Sequence, residues 1–223
     1  MSMMRTRLRD RDLPAYSRGE EIFNMVSHIV GGGLGLIFSV LCLIRAWGDP
    51  WAEGGSLLFG LSFILLYTIS SLYHGLRRGT AKRVLQVLDH CTIYLFIAGT
   101  YTPIMLCAVR PLYPFHAWLI FSVVWALAIL AIIFNGIDLK KYSLFSMICY
   151  IGMGWAVVLG LGEVISSLPG LCFPLLLSGG ISYTIGAVLY GVGKKKRYFH
   201  GVFHLFTLLG SLLHGLCILF YVL

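Results

Sequence analysis

The 223-residue sequence is poor in charge: Asp, Glu, Lys and Arg make up 12% of it, about half the ~25% of an ordinary soluble domain. That shortage excludes a soluble enzyme and a disordered chain. Its six cysteines (Cys42, Cys91, Cys107, Cys149, Cys172, Cys217) stand singly, without CxxC or other ligand spacing. A disulfide-stapled secreted domain is thereby excluded, and each cysteine reads as a small buried hydrophobe. There is no Walker loop, no Rossmann fingerprint and no GxSxG elbow. Residues 1–19 lack a short apolar core, so no cleavable signal peptide is expected and the first apolar run serves as the targeting signal. No internal repeat is evident.

What the chain has is apolar length. Hydrophobic residues make up 58% of it, aromatics 14%, and 26 residues are glycine; the mean hydropathy is +0.87. Seven continuous runs, at approximately 22–46, 55–76, 85–108, 115–136, 142–162, 170–191 and 199–222, each approach the roughly 20 residues a helix needs to cross a ~30 Å hydrocarbon core. They are too long and too continuous for membrane strands. The expectation is an all-α, polytopic membrane protein: a basic arm over 1–19 and one seven-helix transmembrane domain over 20–223. Pro103, Pro174 and the Gly31–Gly33 cluster are expected to mark kinks and close helix contacts.

The basic residues give the orientation. The net charge is +8, but it lies in short clusters between apolar runs, which argues against nucleic acid as a partner. Arg5, Arg7, Arg9, Arg11 and Arg18 precede the first span; Arg77, Arg78, Lys82 and Arg83 follow the second; Lys140 and Lys141 follow the fourth; Lys194, Lys195, Lys196 and Arg197 follow the sixth. With seven spans, fifteen of the seventeen basic residues share one side, and only Arg45 and Arg110 take the other. The positive-inside rule then puts the N-terminus in the cytoplasm and the C-terminus outside. Trp47, Trp51, Tyr113 and Trp118 fall at the outer boundary as an aromatic belt. The cytoplasmic loops are expected to meet anionic lipid headgroups.

Ionisable side chains inside a span are costly and point to function. His74 and Ser70 lie three and seven residues before Arg77, Asp89 six after Arg83, and His200 and His204 three and seven after Arg197. At ~1.5 Å per residue, all five sit roughly 5–10 Å below the cytoplasmic boundary. His200 and His204, at i and i+4, project from one helix face and suit adjacent positions on a tetrahedral zinc. His74 as a third ligand leaves one position for water, the pattern of a catalytic zinc. Ser70 shares a face with His74, and Asp89 is a carboxylate able to bind or deprotonate that water. The competing reading makes each histidine a helix-packing residue bonded to a neighbour; matched depth weighs against it.

Glu20, Asn24 and His28 recur every four residues as a polar stripe on the first span, either a substrate contact or outer support for the site, or an interfacial cap with one satisfied histidine. His90 is turned about 100° from Asp89, His214 is too deep for the metal, and His116 is interfacial. Tyr67, Tyr73, Tyr94 and Tyr101 read as packing residues with a polar handle.

Four segments, EEIFNMVSHIVGGGLG (20–35), SSLYHG (70–75), LDHCTIYLFIAGTYTPIML (88–106) and YFHGVFHLFTLLGSLLHG (198–215), resemble the bacterial hemolysin III family. That family lies within the progestin and adipoQ receptor family and a wider superfamily that includes alkaline ceramidases and is described as membrane-embedded metal-dependent hydrolases. The likeness spans nearly the whole chain. It implies zinc on His74, His200 and His204, Asp89 hydrogen-bonded to the zinc water, Ser70 near the reacting carbonyl, and the bacterial inner membrane as location. The cytoplasmic N-terminal region is shorter than in the eukaryotic receptors. Together these readings favour a zinc-dependent hydrolase acting on a lipid, at an amide bond. The alternatives are a lipid sensor or receptor with structural zinc and, more weakly, a pore-forming cytolysin, since no continuous charged stripe lines any span.

Overall fold

The computed structural model describes residue 6 and residues 8–193 and 196–223. Arg5, Arg7, Lys194, Lys195 and the Arg9 side chain, all counted in the charge reading, lie outside the described residues. Every regular element among the described residues is helical. The helices are α1 (Arg18–Ala46), α2 (Pro50–Gly75), α3 (Thr80–Pro103), α4 (Pro114–Asp138), α5 (Ser143–Gly154), α6 (Leu161–Ser167), α7 (Cys172–Val192) and α8 (Phe199–Cys217).

Local chemistry sets the ends. Ser17 caps α1 in a reciprocal box with Glu20, whose carboxylate accepts from the Ser17 N–H at 2.9 Å. Asp49 caps α2 immediately before Pro50, which fills the first helical position where no N–H is needed. Pro103 does interrupt its helix: α3 continues into a π-helical segment, Ile104–Val109, where the register opens around the missing donor. Pro174 does not kink anything. It sits in the first turn of α7, where its missing N–H costs no helical bond.

Six helical stretches are long and apolar enough to cross a membrane, and α5 with α6 forms a seventh when counted as one span bent by 42°. The connectivity requires that count. The end of α4 lies at the N-terminal arm, because the Thr6 N–H donates to Asp138 and Arg11 to the Ile137 carbonyl. The start of α8 lies at the same end, where the Tyr198 N–H donates to Glu20. Cys172, opening α7, is disulfide-linked to Cys217 at the far end of α8. The chain between Asp138 and Cys172 must therefore traverse the bundle, and α5 and α6 are what traverses it. This multi-pass integral membrane protein thus has its arm and its α2–α3, α4–α5 and α7–α8 connections at one end. The disulfide corrects the reading of all six cysteines as solitary hydrophobes; Cys42, Cys91, Cys107 and Cys149 remain free. Cys172 and Cys217 are 45 residues apart, and only the pairing of α7 with α8 joins them.

The helices meet through small residues. A Cβ on Gly31 would collide with the Tyr67 ring, and one on Gly35 would come within 2.8 Å of Phe63, so these two positions let α1 lie against α2. A Cβ on Gly33, within the same cluster, would meet no packing neighbour within 4 Å among the described residues. Phe38, Phe59, Phe63, Tyr67 and Phe96 form the aromatic core between α1, α2 and α3. At the end away from the arm, Trp51 meets Trp118 edge-on at 6.1 Å and carries the Arg110 guanidinium 4.2 Å above its ring.

Candidate metal centre

Near the arm end, α2 and α8 bring three imidazoles to one point. His74 Nε2 is 3.3 Å from His200 Nε2, which is 3.0 Å from His204 Nε2. His200 and His204 are one turn apart on α8, so their rings leave the same face; His74 closes the triangle from the last turn of α2. Ligand atoms of these three residues all lie within 4.8 Å of one another. Bonds of about 2.0–2.1 Å in a tetrahedron imply nitrogen separations of about 3.3 Å.

Hydrogen bonds behind the rings orient the cluster. His74 Nδ1–H donates to Glu21 Oε2 at 2.7 Å, which fixes the ring with Nε2 turned toward the other two histidines. Ser27 Oγ donates its own hydrogen to the Asn24 carbonyl at 2.9 Å, so the hydroxyl oxygen, 3.5 Å from His204 Nδ1, is turned to accept from that ring. The three Nε2 atoms face one another. The cluster could hold a metal ion.

Glu21 is the residue that sequence reasoning missed. It is held from its other oxygen by Lys82 Nζ at 2.6 Å, and Lys82, itself 2% exposed, also donates to the Leu76 carbonyl at 3.0 Å. A half-buried carboxylate paired on one side with an ammonium and on the other with an imidazole is a fixed strut behind His74. The adjacent acids Glu20 and Glu21 were a legible signal, but the four-residue stripe selected Glu20. Glu20 instead caps α1 and accepts the Tyr198 N–H at 2.9 Å, which makes it a fastening between α1 and α8.

The other expected residues are divided. Ser70 is 1% exposed one turn before His74, and its hydroxyl has no hydrogen-bond partner among the described residues. Asp89 is buried on α3 within electrostatic reach of Tyr16, Tyr73 and Tyr190, and is not among the groups whose ligand atoms converge. His28 packs tilted against His204 at 3.8 Å between ring centroids; among the described residues neither its ring nitrogens nor the amide atoms of buried Asn24 have a hydrogen-bond partner. His90 bonds back to the Gln86 carbonyl, His214 to Leu176 on α7, and His116 pairs with Glu163; His90 lies within electrostatic reach of His200, but none of the three joins the converging group. Tyr67 donates or accepts with Ser211 at 2.7 Å, and Tyr101 donates to the Gly154 carbonyl, as packing residues with a polar end.

The arm covers the cluster. Arg78 donates to the Leu13 and Pro14 carbonyls and Arg83 to that of Arg11, which threads residues 11–14 across the end of the bundle. Tyr16 comes next and stacks on His200, with centroids 5.0 Å apart and planes 18° from parallel. Burial pushes the Tyr16 phenol up, so it stays a neutral hydroxyl. Nothing in the polar composition of residues 1–19 marked it as part of the site.

Comparison with known proteins agrees with this architecture. The model of the family described as "Haemolysin-III related" matches residues 16–215, a stretch that includes Tyr16, Glu21, all three histidines, Ser70 and Asp89. The chain is 37% identical over 207 residues to "Hemolysin-3" of Bacillus cereus, covering 92% of each protein. It is 36% identical over 204 residues to "Hemolysin-3 homolog" of Bacillus subtilis (strain 168), covering 91% of this chain and 94% of that one. A more distant likeness, 26% over 200 residues, links 86% of the chain to 77% of the human "Monocyte to macrophage differentiation factor". With its seven-span topology and a family match over nearly its whole length, this chain belongs to the haemolysin III family.

Proposed function

We propose that this protein is a zinc-dependent hydrolase of membrane lipids that cleaves an amide bond, with His74, His200 and His204 as ligands. The observation that carries the proposal is the convergence of three imidazole Nε2 atoms, with His74 held from behind by Glu21. A zinc ion bound there supplies Lewis acidity toward a carbonyl oxygen and activates water at neutral pH. Asp89 takes the proton of the attacking water and delivers it to the leaving amine. Ser70, buried with its hydroxyl uncommitted, donates to the oxygen on which negative charge develops. Glu21 and Lys82 keep His74 in the ligating tautomer.

The location of the cluster supports a lipid substrate, because a scissile group just beneath the headgroups reaches that depth. The proposed orientation puts the arm and basic connections in the cytoplasm, facing anionic headgroups of the bacterial inner membrane. One observation favours a second reading, a lipid sensor with structural zinc: Tyr16 stacked on His200 closes the cluster from the arm side. The deciding experiment measures zinc content and release of fatty acid from N-acyl lipids on one preparation of wild type and Asp89→Asn. Hydrolysis requires zinc in both and product in the wild type alone.

A further inference from the structure

The histidine cluster is open only toward the arm. His74 and His204 are buried, His200 is the partly exposed member, and Tyr16 lies on the His200 ring. How the arm is held there is unlike anything else in the fold. Residues 11–17 have no regular structure, and among the described residues no backbone–backbone hydrogen bond fastens residues 12–16. The arm's carbonyls are taken by guanidinium groups instead. Arg78 donates to Leu13 at 3.0 Å and to Pro14 at 3.3 Å, and Arg83 Nε donates to Arg11 at 3.0 Å. Lys140 reaches Asp12 at 3.3 Å, but their side chains are 82% and 86% exposed, so that pair adds little. Buried Leu13 is the apolar anchor.

We infer that residues 11–16 are a lid over the metal centre, opened by anionic phospholipid headgroups that take Arg78 and Arg83 away from the arm's carbonyls. Both arginines are accessible to such a partner: Arg78 is exposed and Arg83 partly so. They follow the second span, at the boundary where headgroup phosphates lie. A neutral carbonyl is the weaker acceptor, because a hydrogen bond charged on both sides is roughly twice as strong as a neutral one. Arg78 spends Nη1 and Nη2 on the arm, and a phosphate gripped bidentately by that edge takes the same two nitrogens. A zwitterionic headgroup carries its own ammonium and competes less. With the guanidinium groups gone, Leu13 and the Tyr16 stack are left to hold the lid. The inference rests on the metal-centre reading for what the lid covers; the arm's movement is measured without reference to any metal.

The test uses the full chain with p-benzoylphenylalanine in place of Tyr16, in nanodiscs of phosphatidylcholine alone or mixed with phosphatidylglycerol, at matched ionic strength. Photocrosslinking to peptides of α8 reports the closed lid. It is expected in phosphatidylcholine and should fall several-fold when phosphatidylglycerol is present. Arg78→Ala/Arg83→Ala should give the low value in both bilayers. Arg78→Lys, which keeps the charge but has no fork to span two carbonyls, should fall between. Arg18→Gln, which alters an exposed charge of the arm side itself, should respond as wild type does. Crosslinking that is equal in the two bilayers, or undiminished in the double variant, overturns the inference. So does a response lost in Arg18→Gln, which would assign it to the arm's own charge. Inorganic phosphate added to phosphatidylcholine nanodiscs should leave the crosslink intact; an equal loss there overturns the lipid as the source. Zinc stripping by a water-soluble chelator is timed in the same nanodiscs. A protein that binds no zinc yet loses the crosslink keeps the lid and removes the metal reading. Faster stripping in phosphatidylglycerol with an unchanged crosslink does the reverse.

Discussion

Glu21 and His74 are 53 residues apart in the chain and 2.7 Å apart in space, and the hydrogen bond between them decides what His74 can do. By taking the Nδ1 proton, the carboxylate leaves Nε2 as a ligand aimed at His200. Lys82, bonded to the opposite oxygen, neutralises Glu21 inside the bundle. The strut therefore links the first three spans to the α8 histidines.

Removing the strut should loosen the metal without removing a ligand. Glu21→Gln, or Lys82→Met, is expected to weaken zinc binding by about 10- to 100-fold, as outer partners of ligating histidines typically do. Competition with a chromophoric chelator measures it. Affinity unchanged in both variants would show that His74 needs no orienting partner.

Loss of a ligand should be more severe. His74→Ala, His200→Ala or His204→Ala should each leave the purified protein largely zinc-free by elemental analysis, while His116→Ala, paired with Glu163 away from the cluster, should bind as before. Full zinc occupancy in the double variant His200→Ala/His204→Ala refutes the site.

Asp89 should separate chemistry from binding. Asp89→Asn preserves shape but not basicity, so zinc should stay while turnover falls about 10²- to 10⁴-fold. Normal product with normal zinc would sink the catalytic role given to Asp89. Loss of zinc would make it a ligand instead.

Tyr16 should govern access from the arm side. In Tyr16→Ala the stack on His200 is gone, and a water-soluble chelator should strip zinc faster than from wild type. Tyr16→Phe retains the ring and should match wild type. Equal stripping rates for all three proteins would remove Tyr16 as a cover.

The topology predicts opposite locations for the termini. Reporter fusions should place the N-terminus in the cytoplasm and the C-terminus outside. Quantitative thiol labelling of the denatured, unreduced protein should find four reactive cysteines, with Cys172 and Cys217 joined. Both ends on one side would undo the crossing assigned to α5 and α6.

The sequence by itself determined the spans, because a helix in lipid must satisfy its backbone internally and so writes its length into a local apolar run. It also determined the i, i+4 histidine pair and the common depth of His74, which are consequences of helical rise. It did not determine which helices are neighbours or how each is rotated about its axis. Those were decided by packing: Gly31 against Tyr67 and Gly35 against Phe63 fix α1 on α2. That rotation turns Glu21 rather than Glu20 toward His74. The pairing of α7 with α8 likewise joined two cysteines that looked solitary. Tyr16 lay in a segment whose composition is merely polar, and only the path of the arm over Arg78 and Arg83 carried it onto His200. Depth is a one-dimensional property of the chain; azimuth and partnership arise only when the helices meet.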